Sequence, residues 1–398
     1  MEITVEWLFP DGEGGAKLPD GIVRVPGGIP GDRLRVQPVE KRGRTVIAAI
    51  DAMLSPSPHT RTPTCVWDAT CGGCDLARLE PTARHNALAV VAQRAFRLPK
   101  PPLFVPSPRQ IAHRARIKLA IDANRIGYRA ARSHDLVEVG TCEVAREEVQ
   151  AGLARLRAFA SEHSLSGLSG VEIRSDGERA IYAFSSDRRV SDALREHLTA
   201  LGDVAIDGQP MAGDPTLRLH VAGHALRCSP SAFYQVNLEI NAALAAFVRQ
   251  TITDLNTERL LELYAGIGNL SVPLAANGLP VIAVEREGAA TDDLRTTLAE
   301  GSLPIRVVTG AAEAFDPSTE AFDVALLDPP RAGAPGVIPR ILRNRPRGIV
   351  YVACHVPSAA RDLKPALDAG YRLADVRCFD MFPGSHHFET VAVLVRGR

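Results

Sequence analysis

The chain has 398 residues and a formal net charge of zero, and 45% of its residues are hydrophobic and 23% charged. This length exceeds what one ordinary core holds, so two or three globular domains are expected. The neutral charge disfavours a protein that coats nucleic acid non-specifically. No apolar run approaches the roughly 18 residues of a membrane helix. Residues 1–10 lack the basic start of a signal peptide, so we expect a cytoplasmic protein.

Residues 1–55 alternate short apolar runs with Gly, Pro and Asp turns. Four runs predict strands, at residues 3–5, 21–25, 33–36 and 45–48. Four or five short strands in this length are typical of a small OB-type barrel, which often binds oligonucleotides, and equally of a β module that binds none. Residues 55–58 read Ser-Pro-Ser-Pro, which predicts a linker.

Three cysteines follow in close succession, Cys65, Cys71 and Cys74, while Cys142 lies apart from them. In the cytoplasm such thiols are expected to be free, metal-bound or catalytic rather than paired as disulfides. Four thiolates suit a tetrahedral zinc ion or an iron–sulfur cluster, and their spacing does not choose between the two.

The segment 109–132 is rich in basic residues and contains a single acid, Asp122. The basic residues are Arg109, Arg114, Arg116, Lys118, Arg125, Arg129 and Arg132. They suit contacts with nucleic-acid phosphates, although a solvated strand face explains them equally well. Around this segment the pattern is mixed α+β. It predicts helices at 82–96 and 147–160 and strands at 115–121, 171–173 and 180–184.

From about residue 231 apolar strands alternate with helical patterns. Strands are predicted at 259–263, 280–284, 305–308, 322–327, 348–352 and 389–395. Helices are predicted at 269–276, 288–299, 337–342 and 358–369. This alternation predicts a doubly wound parallel sheet covered on both faces. Ligands of such sheets bind beyond the carboxyl ends of the strands.

The first strands of this sheet end in residues that suit a nucleotide-like ligand. Strand 260–263 runs into a turn, residues 264–269, whose glycines let the backbone approach a ligand closely. The next strand ends at Glu285, whose carboxylate can accept hydrogen bonds from both ribose hydroxyls. These features fit a dinucleotide, S-adenosylmethionine or an unoccupied turn. Residues 328–331, Asp-Pro-Pro-Arg, form a stiff loop that suits a wall against a flat base and disfavours an oxidoreductase.

Two residues near the C-terminus suggest covalent chemistry. Cys354 follows the apolar run 348–353, and Glu389 begins the last predicted strand. Methylation at C5 of a uracil needs such a pair, because a thiolate must add at C6 and a base must then remove the C5 proton. The alternatives are that Cys354 is a buried inert thiol and that Glu389 is a salt-bridge partner on an edge strand.

Several motifs in a fixed order resemble the RNA 5-methyluridine methyltransferase family across nearly the whole chain. They are Phe233-Tyr234-Gln235-Val236-Asn237, the Leu-Tyr-Ala-Gly-Ile-Gly-Asn turn at 263–269, Asp328-Pro329-Pro330-Arg331-Ala332-Gly333, Val352-Ala353-Cys354, and Asp380-Met381-Phe382-Pro383 with His387-Phe388-Glu389-Thr390-Val391.

The resemblance implies an α/β Rossmann-like class I methyltransferase domain at 231–398, an N-terminal OB/TRAM-like barrel at 1–55 and a central α+β domain at 56–230. It implies that Cys354 is the nucleophile and Glu389 the proton acceptor. It also implies a pocket for S-adenosyl-L-methionine and uracil formed by Gln235, Tyr264, Gly266, Gly268, Asn269, Glu285 and Asp328. A 4Fe-4S cluster is implied at Cys65, Cys71, Cys74 and Cys142.

Two departures from the family pattern stand beside the resemblance. The family usually has Cys-Asn-Pro where this chain has Cys-His-Val-Pro at 354–357, and the helix after Glu285 lacks the usual asparagines. The N-terminal module with four cysteines resembles members that act on 23S ribosomal RNA. The alternatives are a transfer RNA T-loop uridine as target, or a non-catalytic RNA-binding or ribosome assembly factor with this fold. A cytosine-C5 enzyme is disfavoured, because residues 328–331 lack a cysteine. The expected partner is RNA and the expected state a monomer.

Overall fold

The computed structural model describes residues 1–131 and 133–397, so Arg132 of the basic segment lies outside the described residues. The described strands form four sheets. They are β1 (Glu2–Thr4), β2 (Trp7–Leu8), β3 (Gly14–Leu18), β4 (Gly21–Val25), β5 (Arg33–Arg42), β6 (Thr45–Ser55), β7 (Leu103–Val105), β8 (Arg116–Asp122), β9 (Arg125–Arg129), β10 (Leu136–Val137), β11 (Leu168–Ser175), β12 (Ala180–Ser186), β13 (Val204–Ile206), β14 (Gln209–Ala212), β15 (Leu217–Val221), β16 (His224–Cys228), β17 (Leu260–Leu263), β18 (Val281–Glu285), β19 (Ile305–Thr309), β20 (Val324–Leu327), β21 (Gly348–Ala353), β22 (Tyr371–Phe379) and β23 (Glu389–Arg396). The α-helices are α1 (Pro81–Phe96), α2 (Glu147–Glu162), α3 (Asp192–Leu198), α4 (Leu238–Asp254), α5 (Ser271–Ala275), α6 (Gly288–Ala299), α7 (Val337–Ile341) and α8 (Val356–Asp368).

The C-terminal sheet has eight strands in the order β19-β18-β17-β20-β21-β23-β22-β7. The five strands from β19 to β21 are parallel, and the chain reverses its direction of growth between β17 and β20. This topology confirms the predicted doubly wound Rossmann-like sheet. One part of the prediction was wrong, because β23 runs antiparallel to both of its neighbours and the sheet is therefore mixed. An apolar run carries no information about strand direction.

Alternate residues of these strands enter separate cores on the two faces of the sheet. Leu260, Leu326 and Val350 pack on one face with α4, α5 and α6. Leu261 and Ile349 pack on the other face with α7 and α8. Since successive side chains of a strand point to opposite faces, strands that are apolar throughout are what a sheet covered on both sides requires.

Helix α4 was not predicted, although its sequence carries the signal. Buried residues recur every fourth position, at Ile240, Leu244, Val248 and Ile252. The side chain of Asn237 accepts a hydrogen bond from the backbone of Ile240 and caps the helix. The Phe-Tyr-Gln-Val-Asn motif therefore ends in an N-cap residue, and this helix fixes the motif against the sheet.

The N-terminal sheet has six strands in the order β1-β5-β6-β4-β3-β2 around a small core of its own. The predicted linker at 55–58 is not a free tether. The backbone of Ser57 donates a 2.9 Å hydrogen bond to Oδ1 of Asp32, and Arg78 pairs with the same fully buried carboxylate. Asp32 thus ties this sheet to the segment that carries the first three cysteines.

The central residues form a seven-stranded sheet in the order β10-β9-β8-β11-β12-β13-β14, packed on α2 and α3. The division of the chain at residues 55 and 230 stays a prediction. The β7 strand joins the C-terminal sheet, and the β15–β16 hairpin packs in its core. Within the described residues no helix is long and apolar enough to cross a membrane.

We expect Asp32→Ala to lower the free energy of unfolding by roughly 2–4 kcal/mol, because it leaves buried backbone donors without an acceptor. Oδ2 of Asp32 also accepts a 3.0 Å bond from the backbone of Ile29. Urea titration measures the change. Asp20→Ala, at an exposed position in the same sheet, should change the free energy by less than about 0.5 kcal/mol. Equal effects of the two substitutions would contradict the role given to Asp32.

Candidate active site

A cavity of about 510 Å³ opens at the carboxyl ends of β17, β18, β20 and β21. Its volume lies within the roughly 300–1,000 Å³ typical of small-molecule sites. All but one of the residues proposed from the sequence for catalysis and for the methyl donor line it: Gln235, Tyr264, Gly266, Asn269, Glu285, Asp328, Cys354 and Glu389. These residues are far apart in the sequence, and the order of the strands brings them together.

Cys354 and Glu389 approach each other because β21 and β23 are antiparallel neighbours. Ala353, the last residue of β21, pairs with Thr390 of β23. Cys354 directly follows Ala353 and Glu389 directly precedes Thr390, so both side chains lie beside this last pair, and both line the cavity. Directly opposed residues of antiparallel strands have Cβ atoms about 4.5–5.5 Å apart. The thiol and the carboxyl group therefore share one end of the cavity.

This end of the cavity gathers acidic groups away from water. Burial, and then the charges of Glu389 and Asp328, raise the pKa of the Cys354 thiol to about 12, while Arg331 opposes the shift. Burial also raises the pKa of Asp328 to about 7 and, with the charge of Asp328, raises that of Glu389 well above its usual value. Such a site favours a positively charged ligand, since a cation stabilises the ionised form of each group.

The glycine turn and Glu285 form the middle of the cavity wall. The Gly266 backbone donates a 2.9 Å hydrogen bond to Oε2 of Glu285, and the Arg286 and Glu287 backbones donate to Oε1 at 2.6 and 2.8 Å. These bonds fix the carboxylate at the end of β18. Tyr264 has φ of 62°, a left-handed conformation that a residue with a side chain adopts at a cost and that is common at functional sites.

Gly268 is the proposed site residue that does not line the cavity. A methyl group at its Cα would lie 2.6 Å from a methyl of Leu294 and 2.8 Å from one of Val272, so glycine is needed there for close packing. Next to it, Asn269 exchanges two hydrogen bonds, of 2.7 and 2.9 Å, with the amide of Asn241 on α4. Asn241 is thus a supporting residue that the sequence reading missed together with its helix.

Glu313 is a second lining residue that was missed. It follows β19 by four residues, and its Oε1 accepts a 2.7 Å hydrogen bond from the hydroxyl of Tyr264. The rule that sites form at the carboxyl ends of strands could have identified it. No local sequence motif identifies Glu313, because it lies in the loop after β19.

The four cysteines of the predicted cluster come from two segments that lie side by side, since Cys71 pairs by a β-bridge with Ala130. Burial raises the pKa of Cys74 to about 11, with smaller contributions in the same direction from Cys142, Cys71 and Cys65 and an opposing one from Arg114. The four thiols are therefore close enough to influence one another. In the described parts of the chain, 1–131 and 133–397, no three or more His, Cys, Asp or Glu residues form a group that could hold a metal ion.

The described part of the basic segment is partly compensated by acids. Both Arg116 and Lys118 lie within 3.7 Å of Glu172, and Arg125 is 2.8 Å from Glu138. Paired arginines on a sheet surface present less net charge to phosphates than the sequence count implies. A basic RNA-binding face on the central sheet stays a prediction.

Comparison with known proteins gives consistent matches. The model of the family described as tRNA (Uracil-5-)-methyltransferase matches residues 215–397. The chain is 32% identical over 422 residues to the 23S rRNA (uracil(1939)-C(5))-methyltransferase RlmD of Pectobacterium atrosepticum, covering 99% of this chain and 93% of that protein. It is 31% identical to the protein of the same name from Pectobacterium carotovorum subsp. carotovorum, with coverage of 99% and 94%.

A solved structure agrees with the fold over the same extent. The Pyrococcus abyssi tRNA (uracil-54, C5)-methyltransferase, in complex with S-adenosyl-L-homocysteine, superposes with a TM-score of 0.79 at 25% identity. The match covers 99% of this chain and 100% of that one. The likeness in fold therefore extends from the N-terminal sheet to the last strand.

Glu389→Gln should lower the pKa of Cys354, because it removes the neighbouring charge that most strongly opposes the thiolate. In protein without ligand, when alkylation of Cys354 by iodoacetamide is followed at rising pH, the rate should therefore climb at a lower pH than in the wild-type protein. Peptide mass spectrometry separates this thiol from the six other cysteines. Glu313→Gln is the matched control, since that carboxylate lines the same cavity but is not among the charges that shift the thiol. An unchanged or slower reaction in Glu389→Gln would count against the electrostatic account.

Proposed function

The chain belongs to the RNA uracil-C5 methyltransferase family, and from this premise we propose that it transfers a methyl group from S-adenosyl-L-methionine to C5 of a uridine in 23S ribosomal RNA. The observation that supports the proposal is the pairing of β21 with β23, because Cys354 and Glu389 adjoin its last pair and both line the cavity. A thiol and a buried carboxyl group in that arrangement fit addition to a pyrimidine followed by proton removal.

The proposed mechanism uses two side chains in turn. The Cys354 thiolate adds to C6 of the uracil, and the electron pair of the C5–C6 double bond moves onto C5 and O4. Bound S-adenosyl-L-methionine supplies an electrophilic methyl group beside C5. The Glu389 carboxylate then takes the C5 proton, the C5–C6 double bond re-forms, and the bond between C6 and the sulfur of Cys354 breaks.

The proposed donor site uses the residues around the glycine turn. Glu285, held by three backbone donors, accepts the ribose hydroxyls. Gln235, Tyr264 and Asn269 would form the surrounding wall, and the charge of Asp328 would stabilise the sulfonium ion of the donor. The acidic character of the cavity supports this assignment, because the donor is a cation and the by-product left after methyl transfer is not.

The RNA target is the finer part of the proposal. The curated relatives with 32% and 31% identity are 23S rRNA enzymes, whereas the structural relative with 25% identity is a tRNA enzyme. These identities favour ribosomal RNA, with a transfer RNA T-loop uridine as the alternative. A non-catalytic RNA-binding factor is the other alternative, and it has no use for a thiol kept at the cavity end. A monomer in the cytoplasm remains the prediction.

We propose further that Cys65, Cys71, Cys74 and Cys142 hold a 4Fe-4S cluster. The mutual influence of the four thiols and their partial burial support a shared ligand. A cluster of this kind takes one thiolate on each iron, so its ligands stand further apart than those of a single zinc ion. No step of the methyl transfer requires electrons from it.

A 23S RNA fragment that carries 5-fluorouridine at the target should form a denaturation-resistant adduct with the protein in the presence of S-adenosyl-L-methionine. The fluorine at C5 cannot leave as a proton, so the bond to Cys354 persists. Gel electrophoresis under denaturing conditions detects the adduct. Cys354→Ala should form none, and a T-loop fragment with the same substitution tests the alternative target. Failure of the folded wild-type protein with both fragments would contradict the proposed function.

Protein purified without oxygen should contain about four iron and four sulfide per chain. Cys74→Ser should lose most of both, because three thiolates hold the cluster less firmly than four. Cys354→Ala should keep both, which makes it the matched cysteine control. Elemental analysis that finds zinc at one ion per chain instead would contradict the cluster assignment.

A further inference from the structure

The cysteine segment (residues 65–79) touches the loop that leads directly to Glu389. We propose that Asp75 and His386 are positioning residues that hold this loop, and with it Glu389, so that the cysteine segment controls removal of the C5 proton. The β22–β23 loop comprises residues 380–388. This inference rests on the proposed function and extends it, since it assigns a role in one step of the reaction to a site outside the cavity.

Three contacts join the cysteine segment to the β22–β23 loop. The Leu76 backbone donates a 2.9 Å hydrogen bond to the carbonyl of Gly384. Asp75 accepts from the His386 backbone at 3.1 Å and contacts its ring nitrogen Nδ1 at 2.6 Å. Gly384 also packs on Cys74, since a methyl group at its Cα would lie 3.6 Å from the Cys74 Cβ. A proposed cluster ligand and its two following residues thus all contact one loop.

The N-terminal sheet closes over the same contact. A methyl group on Gly12, which lies between β2 and β3, would come within 2.7 Å of Oδ2 of Asp75 and 2.8 Å of Cβ of His386. His386 is therefore contacted from two sides, by Asp75 of the cysteine segment and by Gly12 of the N-terminal segment. The side chain of His386 is 15% exposed and that of Asp75 38% exposed, so the contact is covered mainly on the side of His386 and the loop.

The β22–β23 loop transmits its position to the carboxylate through a short and packed path. Phe388, which directly precedes Glu389, is buried in one core with Leu76 and Leu79 of the cysteine segment. Val356, two residues after Cys354, belongs to the same core. At the other end of the loop, the buried Arg84 on α1 donates to the carbonyls of Phe382 and Ser385 at 3.3 and 3.4 Å. A shift of residues 384–386 therefore moves the start of β23.

Only the last half of the proposed reaction needs this positioning. Addition of the Cys354 thiolate to C6 and transfer of the methyl group to C5 require the thiol and the donor. Proton transfer from C5 to the Glu389 carboxylate then re-forms the C5–C6 bond and releases the thiolate. If the Glu389 carboxylate is displaced, removal of the C5 proton slows, and the methylated RNA that is still bonded to Cys354 accumulates.

The test uses Asp75→Ala in the full-length protein with its cysteine-bound group in place. Turnover on unmodified RNA should fall roughly 10- to 100-fold, which is the size of effect a displacement of about 1 Å produces. The covalent protein–RNA complex with unmodified RNA should accumulate on denaturing gels, whereas the wild-type protein shows little. With 5-fluorouridine RNA the variant should form its adduct at the wild-type rate, because that adduct needs no base. Asp68→Ala is the matched control, because among the described residues this acid of the same segment makes no hydrogen bond or ion pair with the loop, and it should behave as wild type.

A second pair of variants keeps the test independent of the cysteine segment. His386→Ala should reproduce the accumulation, and His386→Asn should restore turnover because its amide N–H occupies nearly the place of Nδ1. Iron content is measured for every variant. If Asp75→Ala loses iron, the inference is judged from the His386 variants instead. Normal turnover in both alanine variants, or adduct formation with 5-fluorouridine RNA slowed as much as turnover, would overturn the inference. A wild-type protein that forms no adduct would instead contradict the proposed function.

Discussion

The antiparallel pairing of β21 with β23 is the constraint on which the site depends. It brings Cys354 close to Glu389, because these two residues adjoin the last pair of the register, Ala353 with Thr390. The parallel pairing of β20 with β21 then brings the Asp-Pro-Pro loop beside the thiol, and β17 and β18 add the glycine turn and Glu285. A shift of one residue in the β21–β23 register would turn one of the two reacting groups to the wrong face of the sheet.

The same arrangement stabilises the protonated form of Cys354. Without a ligand, burial and the two neighbouring carboxyl groups keep Cys354 as a thiol, since its pKa lies near 12. A protonated thiol is a poor nucleophile and reacts slowly with oxidants. In the proposed complex, the sulfonium ion of the donor would oppose the charges of Asp328 and Glu389 and so favour the thiolate of Cys354. In that mechanism the donor would supply both the methyl group and part of the electrostatic activation of the thiol.

The fold was predicted best from the sequence where apolar periodicity and a motif coincide. The site was predicted best for residues that lie at the end of a strand. Tyr264, Glu285, Asp328 and Cys354 all follow apolar runs whose carboxyl ends meet. Prediction from the sequence failed for features fixed only by tertiary structure. Strand direction is not encoded in an apolar run, so the strand at β23 was predicted but its antiparallel direction was not. Glu313 was missed because it lies in a loop that carries no recognisable motif. Helix α4 was missed although its apolar residues recur every fourth position, so the sequence pattern was sufficient to predict this helix.

The contacts around Phe388 connect the N-terminal segment and the cysteine segment with the C-terminal sheet that carries the candidate active site. Leu8 and Ile29 of the N-terminal segment, Leu76 of the cysteine segment and Val356 after the nucleophile share a single core with it. Side chains in a close-packed core do not move independently. A shift of the N-terminal segment or of the cysteine segment at this core is therefore passed on to Phe388, which directly precedes Glu389. Because such a core is formed by residues far apart in sequence, no local pattern reveals it, and the division of this chain into independent units would overlook the connection.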